Sequence, residues 1–232
     1  MNRDRILELL QPFLGAPIAG SGEPARLSSP QLESISTYID ILIRWNARIN
    51  LTAIRDPEDI VTRHFGESLF AARHLFPLGT AALDCPEQSG RGCSPERSSA
   101  SLADLGSGAG FPGLPIKLWA PHISVTLIES NHKKTTFLRE VTRALTLTDV
   151  NVQNARAETL ASRFQIVTLR AVERFESILP IAASLVAPSG RLALLIGRTQ
   201  AAQAFTLLPH LIWHEPIAIP NSAARILLLA SS

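Results

Sequence analysis

The chain has 232 residues, 46% of them hydrophobic and 18% charged, with a formal net charge of +2, a balance that fits an ordinary globular protein with room for a sizeable core. No run approaches the roughly 18 uninterrupted apolar residues of a membrane span, and the amphipathic start MNRDRILELLQPFL lacks the basic, apolar, small-residue order of a secretory signal, so a cytoplasmic protein without a membrane partner is expected. The only cysteines, Cys85 and Cys93, stand in a polar stretch with no Cys/His ligand cluster, which excludes a disulfide framework and gives no metal site.

Residues 3–14 predict a short helix, followed by a Gly/Pro/Ser linker over 15–30. At Ser29-Pro30 a second helix is signalled, with Ser29 as N-cap and Pro30 at its first position. Leu32, Ile35, Ile39, Leu42, Trp45 and Ile49 then recur at helical spacing. Two further short helices are expected over 57–64 and 67–76, making 1–78 a helical N-terminal segment. Residues 79–100 lose all periodicity and turn polar, as a flexible connector does.

From Ser101 the pattern changes to strand-helix alternation. Strands are expected over 102–105, 125–129, 150–153, 165–169 and 192–196. Helices are clearest over 132–145 and 173–186. This spacing argues for an α/β domain over 101–232 with a parallel sheet covered on both faces. After a segment over 199–208, runs at 211–217 and 225–230 predict a closing hairpin that turns at Pro220-Asn221, giving the sheet an antiparallel C-terminal strand.

The strongest local signal is Asp104-Leu-Gly106-Ser-Gly108-Ala-Gly110-Phe111-Pro-Gly113. A strand runs into alternating glycines and then a helix, so the backbone can approach a cofactor with no Cβ in the way. Glu129 closes the next strand, 23 residues after Gly106, where a carboxylate can accept hydrogen bonds from the ribose hydroxyls of an adenosine-containing cofactor. Gly108, Gly110 and Gly113 also satisfy G-x-G-x-x-G, so a nicotinamide cofactor competes. Against it stand Asp104 two residues before the glycines, the mid-chain position behind a helical segment, and the lack of a Tyr-x-x-x-Lys pair, Tyr38 being the only tyrosine. The balance favours the Rossmann-like fold of class I methyltransferases, with S-adenosyl-L-methionine as cofactor. The segment Asn154-Ala155-Arg156-Ala157-Glu158 follows the third strand, where the adenine ring lies in such a fold. Arg170 closes the fourth strand, either as a ligand contact or as a solvated strand end.

Taken with these motifs, Trp45-Asn46-Ala-Arg-Ile-Asn50-Leu51-Thr52, His64-Phe-Gly-Glu67-Ser68, Lys133-Lys134, Arg170-Ala171 and Gly190-Arg191 make the chain resemble the bacterial small-subunit rRNA guanine-N7 methyltransferases, RsmG or glucose-inhibited division protein B. The resemblance runs from about Leu42 to Gly197. It implies methylation of N7 of guanine 527 in 16S rRNA, on naked RNA or on the 30S subunit, and cofactor contacts at Gly106, Phe111, Ala157, Glu158 and Arg170. Glu67 stands where the family commonly has Asp, and Ile196 precedes Gly197 where many members carry a lysine, with Arg198 two positions on.

Guanine N7 carries no proton, so its attack on a sulfonium methyl needs no general base; none is expected here, and catalysis would rest on alignment. Only three of the 22 basic side chains are lysines (Lys117, Lys133, Lys134) and the rest are arginines, a bias that suits phosphate recognition and also follows from genomic base composition. Arg139 and Arg143 lie four apart on one helical face as RNA-contact candidates, with Arg198, Arg55 and Arg63 beside them. His64 either touches substrate or packs between helices. A monomer is expected. The alternatives are a methyltransferase acting on another RNA, a protein or a small molecule, and a non-catalytic RNA-binding assembly factor.

Overall fold

A computed structural model describes residues 1–15, 26–77, 100–171 and 174–232. The expected connector over 79–100, with Cys85 and Cys93, lies outside the described residues apart from Ala100, as does most of the linker over 15–30.

Helix α1 (Arg3–Leu14) starts where the Asn2 side chain accepts the Asp4 amide, and it buries Ile6, Leu10, Phe13 and Leu14. Helix α2 (Ser29–Asn46) begins one residue earlier than its sequence signal. Ser28, not Ser29, is the N-cap, because its side chain accepts the Gln31 amide while the Gln31 carboxamide accepts the Ser28 amide. Gln31 also donates to the Leu118 carbonyl at 2.8 Å, tying this cap to the Rossmann-like part.

The two helices expected over 57–64 and 67–76 are one continuous helical run. Asp56 caps α3 (Pro57–Asp59); the backbone then widens into a π-helical stretch over Ile60–Gly66 and returns to α4 (Glu67–Leu75). The wide turns bury His64, Phe65, Glu67 and Ser68 together, and π-helical insertions of this kind are frequent at functional sites. Gly66 sits against the Phe13 ring, where a Cβ would come within 2.6 Å.

The rest alternates β1 (Ser101–Leu105), α5 (Gly113–Trp119), β2 (Ser124–Glu129), α6 (His132–Ala144), β3 (Val150–Asn154), a 3-10 turn at Ala157–Thr159, β4 (Phe164–Arg170), α7 (Phe175–Ser184) and β5 (Val186–Gly197). Helix α8 (Gln200–Leu207) and strands β6 (Ile212–Trp213), β7 (Ile217–Ala218) and β8 (Arg225–Ser231) complete it. The sheet runs β3-β2-β1-β4-β5-β8-β6, with β7 also on β8. Strands β1 to β5 are parallel and β8 is antiparallel.

Two expectations about this half are corrected in detail. The expected strand over 211–217 is two short strands, interrupted at His214-Glu215-Pro216, where Pro216 has no amide to donate. The expected antiparallel closing strand is present: β8 lies between β5 and β6 after a turn in which Asn221 takes φ 58°. Strand β5 starts at Val186, within the expected helix over 173–186, because Val186 pairs with Phe164 across a bulge.

Parallel strands need cover on both faces, and the chain supplies it. On one face Ile6, Leu42, Phe65 and Phe137 pack with Leu102 and Leu127 in a single core, so the N-terminal helices and the sheet share their apolar interior. On the other, Leu179 and Ala204 of α7 and α8 meet Ala103, Val167 and Leu194. Among the described residues no helix is long and apolar enough to cross a membrane.

Candidate active site

The carboxyl ends of β1, β2 and β3 converge on one cleft. Beyond β1 the chain turns through Gly106, Gly108 and Gly110 at φ 65°, 56° and 85°, conformations in which a Cβ is strained. Glu129, 7% exposed at the end of β2, holds this turn from across the sheet. One of its oxygens accepts the Gly108 amide at 3.0 Å and the other the Asn131 amide at 2.8 Å. An ionised carboxylate has about four acceptor positions, so lone pairs remain for a ligand. The Asn154 carboxamide donates to the Glu129 and Ser130 carbonyls at 3.1 and 3.0 Å, fixing the neighbouring strand end.

The cleft measures about 370 Å³, within the usual range of small-ligand sites. It brings together four of the residues expected from sequence: Gly106 and Glu129 on one side, Ala157 and Glu158 on the other, with Arg174 and Ile178 at its end. Gly108 is joined to it through Glu129. Gly110 and Phe111 lie beneath it instead. A Cβ on Gly110 would fall 2.3 Å from the Tyr38 hydroxyl, so the glycine admits α2 to the back of the turn. Tyr38 donates to the Ala109 carbonyl at 2.5 Å. Phe111 is sandwiched between the Tyr38 ring (5.3 Å, 6°) and the His64 ring (4.6 Å, 12°).

Asp104 is fully buried below the turn. Its oxygens accept the Gly113 amide at 3.2 Å and the Thr168 hydroxyl at 2.8 Å, pinning α5 to β1 and β1 to β4. Burial lifts its pKa to about 6, against the opposing pull of those hydrogen bonds and of the Arg170 charge.

Arg170 turns away from the cleft lining. Its guanidinium donates to His64 Nδ1 at 3.0 Å, to the Arg63 carbonyl at 2.6 Å and to Glu67 Oε2 at 3.1 Å. The same Glu67 oxygen accepts Arg225 at 2.7 Å. Since Arg170 can only donate, His64 Nδ1 is the acceptor and the ring proton is assigned to Nε2, which faces Thr52 Oγ1 at 2.9 Å. Burial, and then the charges of Arg170, Arg63 and Arg225, push the His64 pKa down to about 3. His64 is therefore a neutral ring with both nitrogens engaged and no lone pair for proton abstraction.

The RNA-contact candidates divide between two edges of the sheet. Arg198 is exposed just beyond β5, at the carboxyl edge. Arg139 and Arg143 are not beside the cleft. Helix α6 leaves the carboxyl edge and runs back along the sheet, so at about 1.5 Å per residue they sit roughly 10 and 17 Å down it. There Arg139 reaches the Val152 carbonyl, and both line a separate groove beside β3. Sequence reasoning missed three participants, Tyr38, Glu67 and Arg225, as site residues. The signals were the place of Glu67 in the His64-Phe-Gly-Glu67-Ser68 block and a lone arginine opening the apolar run Arg225-Ile-Leu-Leu-Leu. Among the described residues no three His, Cys, Asp or Glu side chains gather as a metal site requires.

Residues 31–215 match the family model described as GidB, rRNA small subunit methyltransferase G. The protein of that name from Halorhodospira halophila is 42% identical over 172 residues, 74% of this chain and 72% of the relative. The one from Chloroflexus aggregans is 37% identical over 216 residues, 88% and 82% of the two chains. Among solved structures, the ribosomal protein L11 methylase of Lactobacillus delbrueckii subsp. bulgaricus superimposes with a TM-score of 0.54 at 14% identity, covering 73% of this chain and 78% of that one, and so shares the fold. With the family model spanning most of the residues and relatives this similar along most of their length, the chain belongs to the rRNA small subunit methyltransferase G (GidB) family.

Proposed function

We propose that this protein transfers a methyl group from S-adenosyl-L-methionine to N7 of guanine 527 in 16S rRNA, acting in the cytoplasm as a monomer. The observation that carries the proposal is the Glu129 clamp: a carboxylate at the end of β2 holds the glycine turn through the Gly108 amide and still has acceptor capacity toward a cleft that Gly106 leaves open. Family membership supplies the substrate class.

The residues present fit the cofactor. Glu129 receives the ribose hydroxyls, Gly106 gives close backbone approach, and Ala157 and Glu158 flank the adenine. Phe111 and Arg170 shape the site from behind, Arg170 by holding His64 flat against Phe111. When bound, S-adenosylmethionine supplies an electrophilic sulfonium methyl. Guanine N7 brings its own lone pair and no proton, so no side chain has to accept one. The engaged, neutral His64 agrees with this. The protein's contribution is to hold nucleophile and methyl in line.

The test is methyl transfer from labelled S-adenosylmethionine to 30S subunits and to naked 16S rRNA, with the modified nucleoside identified and mapped. We expect 7-methylguanosine at a single position. Label in another nucleoside, or none in either RNA, would refute the proposal.

A further inference from the structure

We propose that Arg225, held by Glu67 and flanked by Arg63 and Arg198, is a positioning residue that grips a phosphate of the RNA strand carrying the target base. This rests on the reading of RNA as substrate.

Four observations lead there. First, Arg225 opens β8 opposite Gly197, at the carboxyl edge of the sheet, and the Arg198 amide donates to the Ala224 carbonyl at 2.7 Å. The two arginines thus stand on adjoining strand ends. Counting three strand spacings of about 4.8 Å from β1 across β4 and β5 puts Arg225 roughly 14 Å from the glycine turn. A nucleotide seated over β4 would have its backbone within reach.

Second, the local charge is positive and poorly neutralised. Glu67 is 3% exposed, and one of its oxygens serves both Arg170 and Arg225. His64 stays neutral beside them, and Arg63 is exposed one residue before it. One carboxylate therefore accepts from both guanidiniums, Asp104 acting on Arg170 through its charge alone, with two more arginines alongside. Third, Arg170 Nε is buried and has no hydrogen-bond partner, so the cluster holds more donors than the protein satisfies. Fourth, the Arg225 side chain is 26% exposed while the side chain of its anchor Glu67 is only 4% exposed. Only one of its nitrogens is committed to Glu67, which leaves the rest of the fork for an anion. A guanidinium fixed at one end and open at the other suits bidentate phosphate contact.

The experiment measures binding of the full-length protein to naked 16S rRNA across a salt series, followed by methyl-transfer kinetics. Arg225→Ala should flatten the slope of log K against log salt by about 0.7–0.9, the share of one phosphate contact. It should also raise KM for RNA and leave S-adenosylmethionine affinity unchanged. Arg225→Lys should restore the slope but not the full KM, since charge returns without the fork. Arg198→Ala, whose side chain is exposed, reads the same surface if Arg225→Ala fails to fold. Wild-type slopes in both alanine variants would overturn the assignment, as would a slope lowered by Arg139→Ala with Arg143→Ala and untouched by Arg225→Ala. Absence of salt-dependent RNA binding in the wild type would instead overturn the RNA reading itself.

Discussion

Glu129→Ala separates two jobs that one carboxylate performs. The side chain accepts two backbone amides, from Gly108 and Asn131, at 3.0 and 2.8 Å. Hydrogen bonds to a charged acceptor contribute about 1.5–3 kcal/mol each. Gly108 is only half-buried and Asn131 exposed, so water can replace much of that loss. We therefore expect the free protein to lose about 1–3 kcal/mol of stability in total. Cofactor binding loses its ribose acceptor outright, weakening by about 1.5–3 kcal/mol, or roughly 10- to 150-fold. Thermal unfolding reads both together. At a concentration 100 times the wild-type Kd, S-adenosylmethionine stabilises the wild type by about 2.7 kcal/mol, and the variant by only about 0.3–1.4 kcal/mol. Glu129→Gln should fall between, because its amide group can accept one backbone N–H while its NH2 opposes the other. Calorimetry gives the affinity directly. A folded Glu129→Ala protein with wild-type affinity would refute the cofactor assignment, and one with wild-type stability would refute the clamp.

Two further predictions concern the floor of the site. Gly110→Ala should destabilise by more than about 2 kcal/mol in urea unfolding, since the new Cβ meets the Tyr38 hydroxyl and Leu114 at 2.3 and 2.7 Å with φ at 85°; Tyr38→Phe removes the nearest clash, so the double variant should be less damaged than the sum of the singles, and strict additivity would refute the contact. The pH dependence of stability combines two opposed groups. Asp104 rises from 3.8 to about 6, so the fold retains a proton that the unfolded chain has lost and stability falls as pH rises through that window. His64 drops from 6.5 to about 3, so the unfolded chain takes the proton and stability falls as pH drops through that range. Each slope is about 1.4 kcal/mol per pH unit, and they cancel between about pH 4 and 6. Asp104→Asn can keep both bonds by donating to Thr168, which already reaches the Ala103 carbonyl, and should leave the His64 slope alone. Its stability should fall by about 2.7 kcal/mol from pH 6 to pH 4 while the wild type stays level, and a level variant would refute the assignment.

What could be read along the chain was what local physics decides. Alternating glycines after a strand require left-handed backbone, and Gly106, Gly108 and Gly110 adopt it. The 23-residue interval to Glu129 is one strand-helix-strand unit, so the carboxylate had to arrive beside the same turn. Capping was legible to within a residue, Ser28 displacing Ser29 because only one hydroxyl meets the Gln31 amide. The position of Arg139 and Arg143 was also within reach, since a helix that follows a parallel strand carries its later turns away from the carboxyl edge.

Tertiary structure alone decided the rest. A continuous apolar run marks 225–230 as a strand but names no neighbour, and β8 entered between β5 and β6 because its two apolar faces required cover on both sides. The π-helical stretch at Ile60–Gly66 shifts backbone hydrogen bonds by one residue, a change with no compositional mark. It is this shift that sets His64 against Phe111 and Glu67 between Arg170 and Arg225. Buried charges find partners by where the fold puts them, and these came from positions up to 158 residues apart. Spacing in sequence carries no trace of such pairings, because long-range electrostatic contacts form only after the apolar faces have chosen how to pack.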